Sequence, residues 1–196
     1  MLTEPPPTLL KLAAYDDPIL RTRTTLVSFP LSTEDRKIIA AMKYSIQPAQ
    51  LREAEAPWDG AVGMAANQWG INKSIFMYCP TGDTVNDLEV IINPSYEFTG
   101  NDQEQEWEGC FSVPLSTGQI KRSSSIRVKY QNEAGESIER ELSGWAARVW
   151  QHENDHLNGF LYDDHLAGKC IEKKVFESRE QVDEFYDKVR AERQSK

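Results

Sequence analysis

The sequence predicts a single α+β domain of short strands and about three helices. Three observations predict this fold. The chain has 196 residues, the length of one ordinary domain. Period-two and period-3.6 hydrophobic patterns alternate along it. One helical segment, residues 152–156, reads H-E-x-x-H.

The first firm element is a helix over about residues 33–45. Ser32 or Thr33 is a suitable N-cap, and acidic residues follow in the first turn. The apolar positions recur on one face: Ile38, Ile39 and Met42. A polar segment marked by proline follows, and then residues 60–68, which are too rich in small side chains to be ordinary packing.

Four short segments have the pattern of strands. Residues 74–78 and 88–92 are apolar and β-prone, and a Thr-Gly-Asp turn signal lies between them. Residues 126–130 alternate apolar and polar side chains, and the chain turns and returns through residues 138–142. The last two segments therefore predict a β-hairpin.

From Trp145 onwards, the spacing of the side chains that share one face changes from the period of a strand to that of a helix. Trp145, Val149, His152 and His156 follow one another by four, three and four positions, which places them on one helical face. A last helix closes the chain, with Ser178 and Gln181 in capping-box spacing. No repeat or linker divides the chain, so we expect a single catalytic domain over residues 1–196, with residues 171–196 as a C-terminal helix extension.

Composition restricts the class of protein. Hydrophobic residues make up 39% of the chain and charged residues 27%, which excludes a collagen, a coiled coil or a disordered tail. Asp and Glu number 31 against 22 Lys and Arg, whereas proteins that bind nucleic-acid phosphates usually have the opposite balance. We therefore expect no specific nucleic-acid partner.

The cysteines and the start of the chain indicate the compartment. Cys79, Cys110 and Cys170 are odd in number and far apart, unlike the disulfide framework of a small secreted domain. The first seven residues lack the basic flank and apolar run of a signal peptide. No stretch approaches the ~18 apolar residues of a membrane span. These features predict a cytoplasmic protein without a membrane partner.

The H-E-x-x-H motif predicts a metal site. Its i, i+4 spacing brings the imidazoles of His152 and His156 to one side of a helix, with the carboxylate of Glu153 beside them. The third ligand is open at this point. A metzincin would need a histidine at position 162, which is Tyr162.

Two sources of a third ligand remain. A thermolysin-like protease would use a later glutamate, for which Glu172 and Glu177 are available. Cys110 is the upstream alternative, beside Gly109, where the backbone can approach an ion closely. One cysteine with two histidines leaves a coordination position for water, an arrangement suited to catalysis by zinc or ferrous iron.

Three segments resemble the motifs of the peptide deformylases, which read G-φ-G-φ-A-A-x-Q, E-G-C-φ-S and Q-H-E-φ-D-H. Here they are A-V-G-M-A-A-N-Q at residues 61–68, E-G-C-F-S at residues 108–112 and Q-H-E-N-D-H at residues 151–156. The similarity extends from D-P-I-L-R at residues 17–21, through I-N-P at residues 92–94, to about residue 165.

The resemblance implies a fold of the peptide deformylase type, in which small antiparallel or mixed β-sheets pack around a central metal-binding helix, with a further helix towards each end. It also implies the removal of the N-formyl group from the starting methionine of new polypeptides. It implies a divalent metal ion, Fe²⁺ by preference and Zn²⁺ as an alternative, held by Cys110, His152 and His156, with water as the fourth ligand. Glu153 would be the general acid and base. Gln68, through its side-chain amide, and Phe111, through its backbone N–H, would stabilise the oxyanion.

The same resemblance implies the surroundings of the site. Asp155 and Arg122 would form a pair that orients the ligand helix. The methionine side chain would enter an apolar pocket formed by Val62, Trp145 and Val149. Gly63 and Gly109 would let the substrate backbone approach closely.

Ala61, Met64, Phe111 and Asn154 depart from the residues usual in the family, and none of them removes a ligand. The departures leave open a different formylated or acylated substrate, or a metal-binding relative without catalysis. Residues 171–196 hold seven basic and seven acidic residues, which predicts at most transient contact with the ribosome. The oligomeric state cannot be read from the sequence.

Overall fold

Two antiparallel β-sheets contact one long helix in the computed structural model, which describes residues 7–58, 60–164 and 170–194. The helices in these ranges are α1 (Thr33–Ser45), α2 (Pro48–Glu53), α3 (Gly144–Leu157) and α4 (Arg179–Gln194). The strands are β1 (Gly63–Ala65), β2 (Ile75–Tyr78), β3 (Glu89–Phe98), β4 (Gln103–Cys110), β5 (Val113–Ser123), β6 (Ser125–Gln131), β7 (Ser137–Ser143) and β8 (Cys170–Val175).

The larger sheet has the order β1-β2-β3-β6-β7 and the smaller one β4-β5-β8. The predicted hairpin is confirmed, because β6 and β7 pair in register from Ser125 opposite Ser143 to Gln131 opposite Ser137. Strand β3 runs beyond the predicted end at residue 92. Asn93 adopts a φ of 52°, and the register with β6 shifts there, so that the strand passes Pro94 through a bulge.

Helix α1 has the predicted bounds and a capping box. Ser32 Oγ accepts a hydrogen bond from the backbone N–H of Asp35, and the Asp35 carboxylate accepts one from the backbone N–H of Ser32. The polar segment after α1 contains the short helix α2, so the described residues hold four α-helices rather than the three predicted.

The tail differs from the expectation of one helical extension. Residues 170–175 form β8, which pairs with β5, and α4 begins only at Arg179. The sequence of β8 does not alternate between apolar and polar side chains. The reason is that this strand lies at the edge of the smaller sheet and most of its side chains are exposed. Residues 1–6, 59, 165–169 and 195–196, at the ends and inside the predicted domain, lie outside the described residues.

Helix α3 is central, as predicted, because it contacts β1, β2, β6 and β7 of the larger sheet and β5 of the smaller one. Its anchor is the fully buried Trp150, whose ring meets those of Phe76, Tyr78 and Tyr130 edge-on at 5.0 to 5.4 Å. The ring fixes one face of α3, so the histidines on another face are held rigidly. No helix among the described residues is long and apolar enough to cross a membrane.

Candidate metal centre

Three side chains that can bind a metal ion meet where β4 ends against α3. Cys110 is the last residue of β4, and His152 and His156 lie one turn apart on α3. His156 Nε2 lies 3.2 Å from Cys110 Sγ and 3.2 Å from His152 Nε2. One ligand atom from each residue lies within 4.8 Å of the other two. The cysteine considered in the sequence therefore joins both histidines.

The donor set fits one tetrahedral ion. Metal–nitrogen and metal–sulfur bonds of roughly 2.05 and 2.3 Å separate two nitrogen ligands by about 3.3 Å, and nitrogen from sulfur by about 3.6 Å. The observed separations of 3.2 Å are slightly shorter than both values. Thiolate and imidazole together suit zinc and ferrous iron, and three protein ligands leave a coordination position for water.

Glu108 orients the metal-binding cluster through its contact with His152. His152 Nδ1 lies 2.8 Å from Glu108 Oε2, so the ring can donate at Nδ1 and present Nε2 to the metal. The same carboxylate accepts hydrogen bonds from Arg122 Nε at 2.6 Å and from Arg148 Nη1 at 2.6 Å. Burial opposes the charge on Glu108, but Arg122 and His152 outweigh it and hold its pKa well below the usual range.

The pKa values of the two histidines are shifted in opposite directions. Burial lowers the pKa of His156 well below its ordinary value, so this ring is neutral and available as a ligand. Burial also acts on His152, but hydrogen bonds with Cys110 and Glu108 outweigh it and raise its pKa well above the ordinary value. A cation bound here would displace the proton of His152.

The predicted pair of Arg122 and Asp155 is present, with Arg122 Nη1 2.8 Å from Asp155 Oδ2. Arg122 lies on β5 and is 3% exposed, so its guanidinium ties β5 to both α3 and Glu108. The sequence analysis missed Glu108 and Arg148 as members of this network. The available signals were the carboxylate that opens E-G-C-F-S and the arginine one helical turn before His152.

Glu153 lies between the histidines in sequence and is buried. Its Oε2 atom has no hydrogen-bond partner among the residues that the structure describes. Burial raises the pKa of Glu153 to about 7, so its carboxyl group can both accept and release a proton near neutral pH. Gly63 packs directly against it, because a Cβ atom built on Gly63 would lie 2.6 Å from Glu153 Oε1.

Gln68 lies in a short 3-10 turn, Ala66–Trp69, that follows β1. Its Oε1 accepts a hydrogen bond from the backbone N–H of Ala65 at 2.8 Å, which fixes which end of the amide faces the site. Its Nε2 donates to Ser112 Oγ at 3.1 Å and lies 3.6 Å from Cys110 Sγ. A hydrogen-bond donor thus stands beside the metal-binding cluster.

A cavity of about 320 Å³ opens in front of the cluster, at the small end of the range for ligand sites. It brings together the residues predicted to contact substrate: Val62, Gly63, Gln68, Gly109, Phe111, Trp145 and Val149. Trp145 is 45% exposed, and its Nε1 donates to Pro80 O at 3.0 Å. This tryptophan therefore lies at the mouth of the cavity.

The cavity wall also contains residues that the sequence analysis did not assign to a site: Trp58, Trp107, Arg148, Asp183, Tyr186 and Arg190. Phe111, one of the departures from the family, packs edge-on against Trp58 with 5.1 Å between ring centroids. Met64, another departure, is fully buried in the core and does not line the cavity.

The protease alternatives lack their third ligand. Tyr162 is buried but is not a metal ligand, and its ring lies 6.3 Å from that of His152. Glu172 is exposed on β8 and pairs with Lys174, while Glu177 lies in the exposed segment before α4. Neither glutamate joins the two histidines among the described residues.

Known proteins of one family are similar to this chain. The family model described as polypeptide deformylase matches residues 9–171. A peptide deformylase of Thermotoga maritima is 38% identical over 159 residues, covering 81% of this chain and 88% of the relative. Peptide deformylase 2 of Rickettsia conorii is 33% identical over 174 residues, covering 83% of this chain and 82% of the relative.

Solved structures show the same fold. The crystal structure of the Thermotoga maritima peptide deformylase superposes with a TM-score of 0.66 at 36% identity, covering 79% of this chain and 95% of that one. A peptide deformylase from Synechococcus elongatus in complex with actinonin gives a TM-score of 0.67 at 34% identity, covering 82% and 80%.

Proposed function

The chain belongs to the polypeptide deformylase family, and on that basis we propose which of its residues carry out deformylation. The protein is a metal-dependent hydrolase that removes the N-formyl group from the N-terminal methionine of polypeptides and releases formate. The observation that supports the residue assignment is the cluster of Cys110, His152 and His156 beside the buried Glu153.

Cys110, His152 and His156 hold one divalent ion, Fe²⁺ in the cell and Zn²⁺ as an acceptable substitute. When bound, such an ion lowers the pKa of a water ligand to about 7 and so supplies hydroxide at neutral pH. Glu108 keeps His152 oriented for this role through its contact with Nδ1. Arg122 and Asp155 hold the ligand helix against β5.

Glu153 is the general base and then the general acid. Its carboxylate accepts a proton from the attacking water and delivers that proton to the departing amine nitrogen. A pKa of about 7, caused by burial, suits both transfers. Gly63 keeps the space that this side chain needs, because any side chain there would collide with it.

Gln68 and Phe111 stabilise the oxyanion that forms from the formyl oxygen. The contact between Gln68 Oε1 and the Ala65 N–H supports this role, because it leaves Nε2 beside Cys110 to donate. The backbone N–H of Phe111 follows Cys110 directly and supplies the second donor. Removing one such donor typically raises a barrier by about 2.7–4 kcal/mol.

Val62, Trp145 and Val149 receive the methionine side chain, and Gly63 and Gly109 let the peptide backbone approach. All five residues line the cavity in front of the cluster, which supports this assignment. An unbranched, polarisable thioether adapts well to an apolar site of irregular shape. The exposed position of Trp145 makes it a rim contact, while Val149 is buried.

We propose that residues 171–196 are a C-terminal extension of a single catalytic domain and that the protein acts in the cytoplasm. The equal numbers of acidic and basic residues in the extension support only transient contact with ribosomes.

The metal assignment is tested by comparing Cys110→Ala with Cys79→Ala. Both thiols are buried and free, but only Cys110 lies in the cluster. After anaerobic purification, we expect about one iron per chain in wild type and in Cys79→Ala, and at least a ~10-fold loss of iron in Cys110→Ala, together with loss of formate release from formyl-Met-Ala-Ser. Full metal content in Cys110→Ala would contradict the ligand set, and zinc in place of iron would contradict the choice of metal.

A further inference from the structure

Helix α4 lies at the active-site cavity, although it begins after the last residue that the family model matches. Asp183, Tyr186 and Arg190 line the same cavity as His152 and Glu153. These three residues of α4 are spaced by three and four positions, so they share one face of the helix. A segment beyond the family match therefore presents one face to the reaction centre.

The helix is held firmly in this position. Val182 is 1% exposed and anchors the first turn of α4 in the protein. Phe185 packs edge-on against Trp107 of β4 at 5.0 Å between centroids and against Phe176 at 5.5 Å. The buried valine and these half-buried aromatic contacts fix the helix against the smaller sheet.

Tyr186 is hydrogen-bonded to Thr117 of β5, the strand that pairs with the strand of Cys110. Thr117 Oγ1 donates its hydrogen to the carbonyl oxygen of Glu108 at 2.8 Å, and a hydroxyl has only one hydrogen. Thr117 Oγ1, 2.7 Å from the hydroxyl of Tyr186, therefore accepts a hydrogen bond from it. This links α4 through β5 to the backbone of β4.

The tyrosine hydroxyl also fills the space above Gly109. A Cβ atom built on Gly109 would lie 2.9 Å from the Tyr186 hydroxyl and 3.2 Å from the ring of Trp58. Both aromatic side chains line the cavity. Tyr186 and Trp58 therefore border Gly109, the residue whose backbone faces the substrate in the proposed function.

In the proposed function, the formyl carbon lies at the cluster, the methionine side chain lies against Val62 and Val149, and the peptide backbone passes Gly109. The residue after formyl-methionine would then lie next to Tyr186, which borders Gly109 and lines the same cavity. We propose that α4 forms a wall of the subsite for the residue after formyl-methionine, and that Tyr186 restricts this residue to small side chains. The inference rests on the proposed function.

The test compares substrates that differ only at the second residue, formyl-Met-Ala-Ser and formyl-Met-Phe-Ser. We expect wild type to prefer the alanine peptide by about 10-fold or more in kcat/KM, since a closed pocket rejects extra bulk by such factors. Tyr186→Ala should reduce this preference at least ~5-fold, mainly by lowering KM for the phenylalanine peptide. Lys188→Ala, an exposed residue of α4 that does not line the cavity, should keep the wild-type preference.

A binding readout that needs no turnover accompanies the kinetics. Trp58, Trp107 and Trp145 line the cavity, so their fluorescence reports binding of the product peptides Met-Ala-Ser and Met-Phe-Ser. The ratio of the two dissociation constants should fall in Tyr186→Ala by the same factor as the kinetic preference. If Tyr186→Ala does not fold, as judged by circular dichroism, Tyr186→Leu keeps apolar packing and should also weaken the preference.

The outcomes separate this inference from the proposed function. Absence of formate release from formyl-methionine amide, which has no second residue, and from both peptides would overturn the proposed function. Formate release with an unchanged preference in a folded Tyr186 variant would overturn the role of α4 alone. Equal gains for both peptides would show that α4 obstructs the cavity without selecting, and would also overturn the inference.

Discussion

The carboxylate of Glu108 controls more of the site than any ligand does, because it contacts His152, Arg122 and Arg148 at once. In Glu108→Gln, the buried guanidinium of Arg148 would lose its charged partner and that of Arg122 would lose one of its two. Breaking a buried ion pair typically costs about 3–5 kcal/mol, and loss of such an orienting partner lowers metal affinity about 10–100-fold. We predict both losses.

Denaturant unfolding and competition with a metal chelator measure these two effects. Glu104→Gln is the matched control, because it removes an exposed carboxylate from the same strand. Unfolding free energies that agree for the two variants would show that the network around Glu108 does not carry the stability assigned to it.

The close contact of Gly63 with Glu153 leads to a second prediction. An alanine at position 63 would place a methyl group 2.6 Å from Glu153 Oε1, so the carboxylate would have to move. A displacement of about 1 Å can cost roughly 100-fold in rate. We expect Gly63→Ala to bind metal normally and to lose about 100-fold in kcat for formyl-Met-Ala-Ser.

Gly100→Ala is the control for this substitution, because a Cβ atom there would have nothing within 4 Å. Metal content and kcat should match wild type in this control. A Gly63→Ala enzyme with wild-type kcat would mean that the position of Glu153 is not critical.

Single residues also show what could be predicted from the sequence. The two histidines and Glu153 were predictable because helical spacing and a short motif are local properties of the chain, whereas Cys110 entered the ligand set through the resemblance to a family. Tyr186 was not assigned to the site from the sequence. Its place above Gly109 depends on how α4 packs against the smaller sheet, which no local pattern encodes.

At the scale of elements, the start of α1 is stabilised by an acidic residue with several partners. Asp35 accepts hydrogen bonds from Ser32 and lies 2.6 Å from Lys73 Nζ, and these contacts lower its pKa from 3.8 to about 2. A lowered pKa in the folded state adds stability above pH 4, which is lost as the pH falls from about 4 to about 2.

Asp35→Asn should therefore be less stable than wild type at neutral pH and show a smaller loss of stability between pH 4 and pH 2. Thermal unfolding across this pH range measures the effect. Glu34→Gln, an exposed substitution in the same helical turn, should follow the wild-type curve. Parallel curves for Asp35→Asn and wild type would contradict the assigned role of Asp35.

Some elements were predictable and others were not, for physical reasons. Helices α1 and α3 and the β6–β7 hairpin have strong local periodicity and were predicted. Strand β4 has glutamate and glutamine on both faces, and β5 is interrupted by Pro114 and Gly118, so neither shows alternation. These strands form because β5 pairs with β4 on one side and β8 on the other, and β8 is distant in the sequence.

At the scale of the whole molecule, the two sheets serve to bring distant segments to one point. Cys110 and His156 are 46 positions apart, yet their ligand atoms lie 3.2 Å from each other. β1 supplies Gly63 from the larger sheet and β4 supplies Cys110 from the smaller one, with α3 between them. The α+β class, the small sheets and the central helix were predicted, while the order of the strands within the two sheets was not.

The central claim is that one buried carboxylate beside a three-ligand cluster carries out deformylation. The most direct test is formate release from formyl-Met-Ala-Ser by anaerobically purified wild type and Glu153→Gln, with metal content measured in the same samples. We predict equal metal content and a loss of at least ~100-fold in kcat for Glu153→Gln, because a positioned acid–base group contributes about 10²–10⁴-fold. Formate release at the wild-type rate by metal-loaded Glu153→Gln would contradict the account.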